Sequence, residues 1–153
     1  MNTIIRKYES SDKQDCINAF KSNVPLFFTN KEITDFDSFL NKVESGTDIT
    51  YYYVVIFKEK VIGCGGFGDN YNNGKYTLAW GLIHNDYHKK GFGVELLLHR
   101  IRKIKELKTA SPLMLDTTQH SFGFFEKHGF RITKITNDFY EKGMHRYDMV
   151  LEM

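Results

Sequence analysis

The chain has 153 residues, of which 41% are apolar and 15% aromatic, with two prolines, two cysteines and a formal net charge of +2. A chain of this length forms one ordinary domain that buries roughly 70% of its unfolded surface, and its apolar share excludes disorder. The near balance of charge excludes a general attraction to nucleic acid, and no run approaches the ~20 apolar residues of a membrane span.

Thr3 to Tyr8 alternates and reads as a first strand. Arg6 and Lys7 are followed by polar residues, so no signal peptide is expected. Ser10, Ser11 and Asp12 offer helix caps ahead of a helix to Lys21, and Pro25 interrupts. A second helix runs from about Lys31 to Glu44, with Ile33, Phe36, Phe39, Leu40 and Val43 on one face. The period then changes: Tyr51 to Phe57 and Val61 to Phe67 read as a hairpin about Lys58-Glu59-Lys60. Gly63, Gly65 and Gly66 in the return strand signal a bulge or a close approach by another backbone. A turn over Asp69 to Lys75 leads to a strand over Tyr76 to His84.

From Gly91 the spacing of Val94, Leu97, Leu98, Ile101, Ile104 and Leu107 is helical. Arg100, Arg102, Lys103, Lys105 and Lys108 fill the other side, either as a solvated face or as a landing area for a phosphate-bearing small molecule. Pro112 ends this unit, Leu113 to Asp116 is a short strand, and Gln119 to His128 is a helix stopped by Gly129. Phe130 to Ile135 and Arg146 to Leu151 are two closing strands. With no repeats and no linker, this order gives one domain over residues 1–153, a mixed sheet flanked by helices. Cys16 and Cys64 match no metal-ligand or redox spacing. They read as buried thiols of a cytoplasmic protein without a metal site.

The informative feature is the segment from Asn85 to Gly93 between a strand and a long amphipathic helix. Glycines at 91 and 93 let backbone N–H groups turn outward at a helix N-terminus, where free donors and the positive dipole end favour an anion such as a pyrophosphate. The dinucleotide fingerprint is excluded because position 96 is Leu, and Gly-Lys-Ser/Thr is absent. Lys89, Lys90, Gly91, Phe92, Gly93 and Val94 resemble the acetyl-CoA loop of the GNAT family of N-acetyltransferases, Gln/Arg-x-x-Gly-x-Gly/Ala after the fourth strand. His88 stands where that family usually has Gln or Arg. Ser121 to Phe130 is similar to the family's helix after the fifth strand, commonly ending Tyr-Glu-Lys-x-Gly-Phe, and Gly143 to Met149 to the final strand of some members.

The resemblance implies an α/β (α+β) fold with a mostly antiparallel sheet splayed between strands four and five and about four helices. It implies acetyl-CoA as co-substrate, with pantetheine amides pairing with Gly81, Leu82 and Ile83 and phosphates meeting residues 88–94, Phe124 and Lys127. It also implies direct attack by a primary amine of a small molecule or peptide, with the Ile83 N–H meeting the oxyanion. The usual acid, a tyrosine, is here Phe125. Tyr140, in a loop returning over the cleft, is the replacement candidate, or the thiolate takes its proton from water. Asp116 is the candidate base or else a cap, and His84 and His120 have suitable intrinsic pKa values. Phe27, Phe28, Phe36, Tyr71, Trp80 and Phe139 line the acceptor pocket or belong to the core. A binding protein that keeps the cleft with little catalysis is the alternative, and pairing through the C-terminal strand would give a homodimer.

Overall fold

β-branched and aromatic residues set the first half of the sheet. β1 (Thr3–Lys7) pairs antiparallel with β2 (Thr50–Phe57), which turns through Lys58 and Glu59, both at positive φ, into β3 (Lys60–Gly68). β3 pairs antiparallel with β4 (Thr77–Ile83). The structure, a computed structural model, describes residues 2–46, 50–69, 71–109 and 111–153.

Side chains alternate across the pleat and divide the core in two. Tyr52, Val54, Cys64 and Leu82 face α1 (Lys13–Lys21) and α2 (Glu32–Ser45), whose Cys16, Phe20, Phe36 and Leu40 are fully buried. Burying each such large apolar side chain stabilises the fold by about 1.5–3 kcal/mol. Tyr53, Val55, Phe67 and Ile83 face the opposite side, where α3 (Phe92–Glu106) brings Phe92, Leu96, Leu97 and Ile104. The run of glycines in β3 answers to close packing: a Cβ on Gly66 would lie 1.9 Å from the Tyr51 carbonyl oxygen. The expected bulge is also present, since the β3–β4 register shifts between Cys64 and Gly66.

Local capping fixes the helix starts. Asp12, buried ahead of α1, accepts from the Glu9 amide at 2.8 Å and from both Arg6 terminal nitrogens at 2.8 and 2.9 Å. Burial opposes the Asp12 charge, but these donors outweigh it and hold its carboxyl below the ordinary value. At α2, the Thr29 hydroxyl accepts from the Glu32 amide while the Glu32 carboxylate accepts from the Thr29 amide, a capping box.

After α3 the chain returns as β5 (Leu113–Thr117), α4 (Phe122–Lys127), β6 (Arg131–Glu141) and β7 (Met144–Leu151). The single seven-stranded sheet has the order β1-β2-β3-β4-β5-β7-β6. Every neighbouring pair is antiparallel except β4 and β5, which the α3 crossover makes parallel. They share one register pair, Thr77 with Met114, where the Met114 N–H donates to the Tyr76 carbonyl at 3.1 Å. Beyond that point the strands diverge.

Three boundaries differ from the sequence reading. α4 has only six residues and starts at Phe122, because Thr118 to Ser121 is spent in turns, and it stops before Gly129 at φ 95 as expected. β6 extends to Glu141 and β7 starts at Met144. β6 is an edge strand whose residues are largely exposed, so it lacks the apolar alternation that marks a strand. Among the described residues no helix is long and apolar enough to cross a membrane.

Candidate active site at the strand divergence

The inner wall of the divergence is β4. Its register jumps from Leu82 opposite Cys64 to Ala79 opposite Gly66, and of the two residues between, Trp80 adopts φ 39. The Tyr52 hydroxyl holds this bulge by donating to the Trp80 carbonyl at 2.7 Å. The His84 N–H still donates across to Ile62 of β3, so the alternation of the ladder turns Ile83 the other way, toward β5. There the Ile83 carbonyl accepts from Asn23 Nδ2 at 2.9 Å and from His88 Nε2 at 2.7 Å. Its N–H faces the opening beside Gly81 and Leu82.

His88 therefore pins the end of β4 through its Nε2. The loop that follows turns through Lys89 at φ 61 and Gly91 at φ 90, a conformation that favours glycine. It delivers Phe92 into the core and leaves the start of α3 without a side-chain cap. The amides of Phe92, Gly93 and Val94 are the free donors of that helix end. Gly93 faces α4: a Cβ there would meet the Phe124 ring at 3.6 Å. Lys127 lies one turn further along α4 and is exposed, as are Lys89 and Lys90. The expected cofactor residues thus lie on β4 (Gly81, Leu82, Ile83), in the loop and start of α3 (88–94) and on α4 (Phe124, Lys127).

The outer wall is β5 and its neighbours. Asp116 and Tyr140, which sequence alone could not connect, meet here: the Tyr140 hydroxyl donates to Asp116 Oδ1 at 2.5 Å, a short charge-assisted bond. Arg146 Nη2 lies 3.6 Å from Asp116 Oδ2, while its Nε donates to Asp148 at 2.9 Å and its guanidinium sits 4.7 Å above the Phe139 ring. Tyr140 is on β6 and not in a loop. Burial and the Asp116 charge push its phenol well above the ordinary range, and its proton is committed to Asp116, which weakens it as the acid expected from sequence. Phe125 packs against Phe124 and Phe130.

Phe27 bridges the mouth, edge-on to His88 at 5.3 Å and to His120 at 6.1 Å. It comes from the connection between α1 and α2, whose Pro25 and paired aromatics were the only sequence signal for it. His84 is engaged locally, its Nδ1 accepting from the Asp86 amide at 3.1 Å. Of the remaining expected pocket aromatics, Phe36 is fully buried, Phe28 stacks on Phe20, and Trp80 lies tilted against Phe20 as part of the same core. Tyr71 stands out in solvent. Two surface hollows, of about 530 and 310 Å3, lie along the outer face of α3 and between α3 and β1–β2, not at the divergence. Among the described residues no cluster of His, Cys, Asp and Glu is arranged to hold a metal ion.

The sequence matches the acetyltransferase (GNAT) domain model over residues 27–153. No curated protein matches it. Among solved structures, a GNAT-family protein from Desulfovibrio desulfuricans has a TM-score of 0.84 at 18% identity, covering 98% of each chain. The ribosomal-protein-S18-alanine N-acetyltransferase of Escherichia coli has a TM-score of 0.75 at 16% identity, covering 98% of this chain and 93% of that one. A Bacillus anthracis protein in complex with acetyl coenzyme A has a TM-score of 0.72 at 15% identity, covering 100% of this chain and 99% of that one. At such identities the likeness is one of fold.

Proposed function

This chain belongs to the GNAT acetyltransferase family, and on that footing we propose that it moves the acetyl group of acetyl-CoA to a primary amine of a small molecule or peptide by direct attack. The observation that carries the reading is the divergence of β4 from β5, with the Ile83 amide facing into it beside an uncapped, glycine-turned start of α3. The residues fit the co-substrate. Pantetheine amides would lie along Gly81, Leu82 and Ile83 as an added strand, pairing with the outward-turned Gly81 and Ile83 on either side of Leu82. The amides of Phe92, Gly93 and Val94 would take the pyrophosphate, with Lys89, Lys90 and Lys127 supplying positive charge and Phe124 flanking Gly93. The Ile83 N–H would meet the oxygen of the tetrahedral intermediate.

Asp116 takes the proton of the incoming amine in this reading, and Tyr140 and Arg146 hold its carboxylate in place. Asp116 projects on the face of the sheet opposite Leu113 and Leu115, which are buried toward α3. The acceptor would approach from that face, beside Glu32 of α2 and past Phe27. Residues 1–153 act as one domain. Two buried unpaired thiols, Cys16 and Cys64, suit a cytoplasmic setting.

Isothermal titration with acetyl-CoA, with CoA and ATP as controls, tests the reading. Saturable micromolar binding of both CoA species and none of ATP is the expected result, and no binding of either would refute it. Phe125 at the position of the usual acid supports a second reading, a cofactor-binding protein with little turnover. Tight acetyl-CoA binding without acetyl transfer across a broad amine panel would favour that one.

A further inference from the structure

Helical spacing places Arg100 among the cations of α3, as a solvated face or a phosphate landing area, yet it is only 3% exposed. Its guanidinium lies between α3 and the sheet, in a bay left by two glycines. A Cβ on Gly65 would lie 3.5 Å from Arg100 Cζ, and one on Gly81 would lie 2.8 Å from both Nη1 and Nη2. The fork therefore points from β3 toward β4, the strand that walls the opening. Its one hydrogen bond is a long one, from Nη1 to the Gly66 carbonyl at 3.3 Å, and Nε has no partner among the described residues. No carboxylate pairs with it among the described residues. Burial lowers its pKa to about 10, offset in part by Tyr52 and Cys64 on the far side of the sheet. At neutral pH it remains a cation.

A buried unpaired cation is costly, and proteins of this kind pair or hydrate such groups. Here the cation lies behind Gly81 of β4, two residues before Ile83, whose N–H meets the reacting carbonyl on the function proposed above. In that reaction the amine lone pair forms the C–N bond, the C–S bond breaks, and its electron pair leaves on sulfur, while the amine proton passes to Asp116. The anion that persists at the end of the step is the CoA thiolate. Phe125 offers it no proton, and Tyr140 is bound to Asp116.

We propose that Arg100 is a positioning charge for the leaving group: through the Gly81 backbone it stabilises the coenzyme A thiolate, so that sulfur departs as an anion without a protein acid. The inference rests on the proposed binding of CoA along β4. The groups that face the sulfur from the other elements are Asp116, Tyr140 and Arg146 across the opening and the His88 and His120 rings at the mouth. The Arg100 contribution must be separated from theirs.

The test is an ultraviolet difference titration of the thiol of CoA bound to the full chain, with S-methyl-CoA as the blank. A cysteine thiol titrates at about 8.5, and the thiol of free CoA titrated alongside is the reference. A cation close by lowers such a group by about 1–3 units, and across the Gly81 backbone a fall of about one unit is expected in the wild type. Arg100→Met should return the bound thiol to its free value, and Arg100→Lys should keep part of the fall. At pH 7, where the thiol is mostly protonated, both variants should bind CoA within about twofold of the wild type, because the pyrophosphate site is untouched. CoA that binds the wild type with an unlowered thiol overturns this inference alone, with no variant needed. A lowered thiol that persists in Arg100→Met assigns the effect to another group and overturns it too. No CoA binding to the wild type overturns the proposed function and this inference with it.

Discussion

The loop ahead of α3 offers a quantitative test, because its two glycines stand in different physical situations. Gly91 sits at φ 90 and ψ −3, in left-handed geometry. An L side chain there costs ~1–2 kcal/mol, and a β-branched one more. Gly93 is helical, and a Cβ on it meets only the Phe124 ring at 3.6 Å, an ordinary contact. Gly91→Val therefore strains the loop, which relaxes by leaving the geometry that aims the amides of Phe92, Gly93 and Val94 outward. If the strain must be restored to bind, ~1–2 kcal/mol translates into acetyl-CoA affinity weaker by about 5–30-fold. The same strain lowers the melting temperature by about 2–8 °C in a chain of this size. Gly93→Ala should bind within about twofold of the wild type, and by helix propensity it should gain up to ~1 kcal/mol of stability. Titration calorimetry with acetyl-CoA and scanning calorimetry of the free proteins measure both quantities. A Gly91→Val protein that melts lower yet binds with wild-type affinity would remove the loop from the phosphate site.

Further expectations attach to single contacts. Asp116→Asn should lower kcat by about 10²–10³-fold with acetyl-CoA affinity nearly unchanged, and an unaltered kcat would remove it as the base. Tyr140→Phe deletes the 2.5 Å bond to Asp116 and should slow turnover by roughly tenfold, since bonds to charged groups are worth about 1.5–3 kcal/mol; equal rates would mean that Asp116 needs no orienting donor. The Asp12 carboxyl is held below its unfolded value, so the Arg6–Asp12 pair stabilises the fold above about pH 4 and this support fades as the pH falls through the folded value. Arg6→Met should accordingly be less stable than the wild type at pH 7 by about 1 kcal/mol, with a gap that narrows below about pH 4 in urea melts; a constant gap would point to packing instead. The contact with Cys64 and burial push the Cys16 thiol up, and both cysteines are fully buried, so neither should react with a disulfide reagent until the protein unfolds; fast native labelling would contradict the packing of α1 on β3.

The parts of the site that were legible in the sequence are those built from consecutive residues. Free amides, a left-handed glycine and a helix start follow each other between His88 and Val94, so their chemistry is written locally. The splayed sheet came with the family resemblance, while the edge placement of β6 and the meeting of Tyr140 with Asp116 depend on register across strands far apart in the chain. β6 is mostly exposed and carries no alternation to announce its length, which is why Tyr140 read as a loop residue. Arg100 misled for another reason. Helical spacing places it beside other cations, but whether it is solvated is decided by Gly65 and Gly81, whose missing side chains make room for it. No count of charges along α3 contains that information.

The single register pair between Thr77 and Met114 has a mechanical consequence. Two half-sheets are joined edge to edge at one register pair, like a hinge, and beyond it the Ile83 N–H of β4 faces the opening. A ligand laid between them as a strand would act as a cross-tie, and at about 100 times its dissociation constant it would add ~2.7 kcal/mol to the resistance against unfolding. The amides of Gly81 and Ile83 would then exchange their hydrogens on a clock set by occupancy, slow while the tie is in place and fast in the interval between product leaving and the next donor arriving. The working protein would alternate, once per turnover, between a continuous sheet and a divided one.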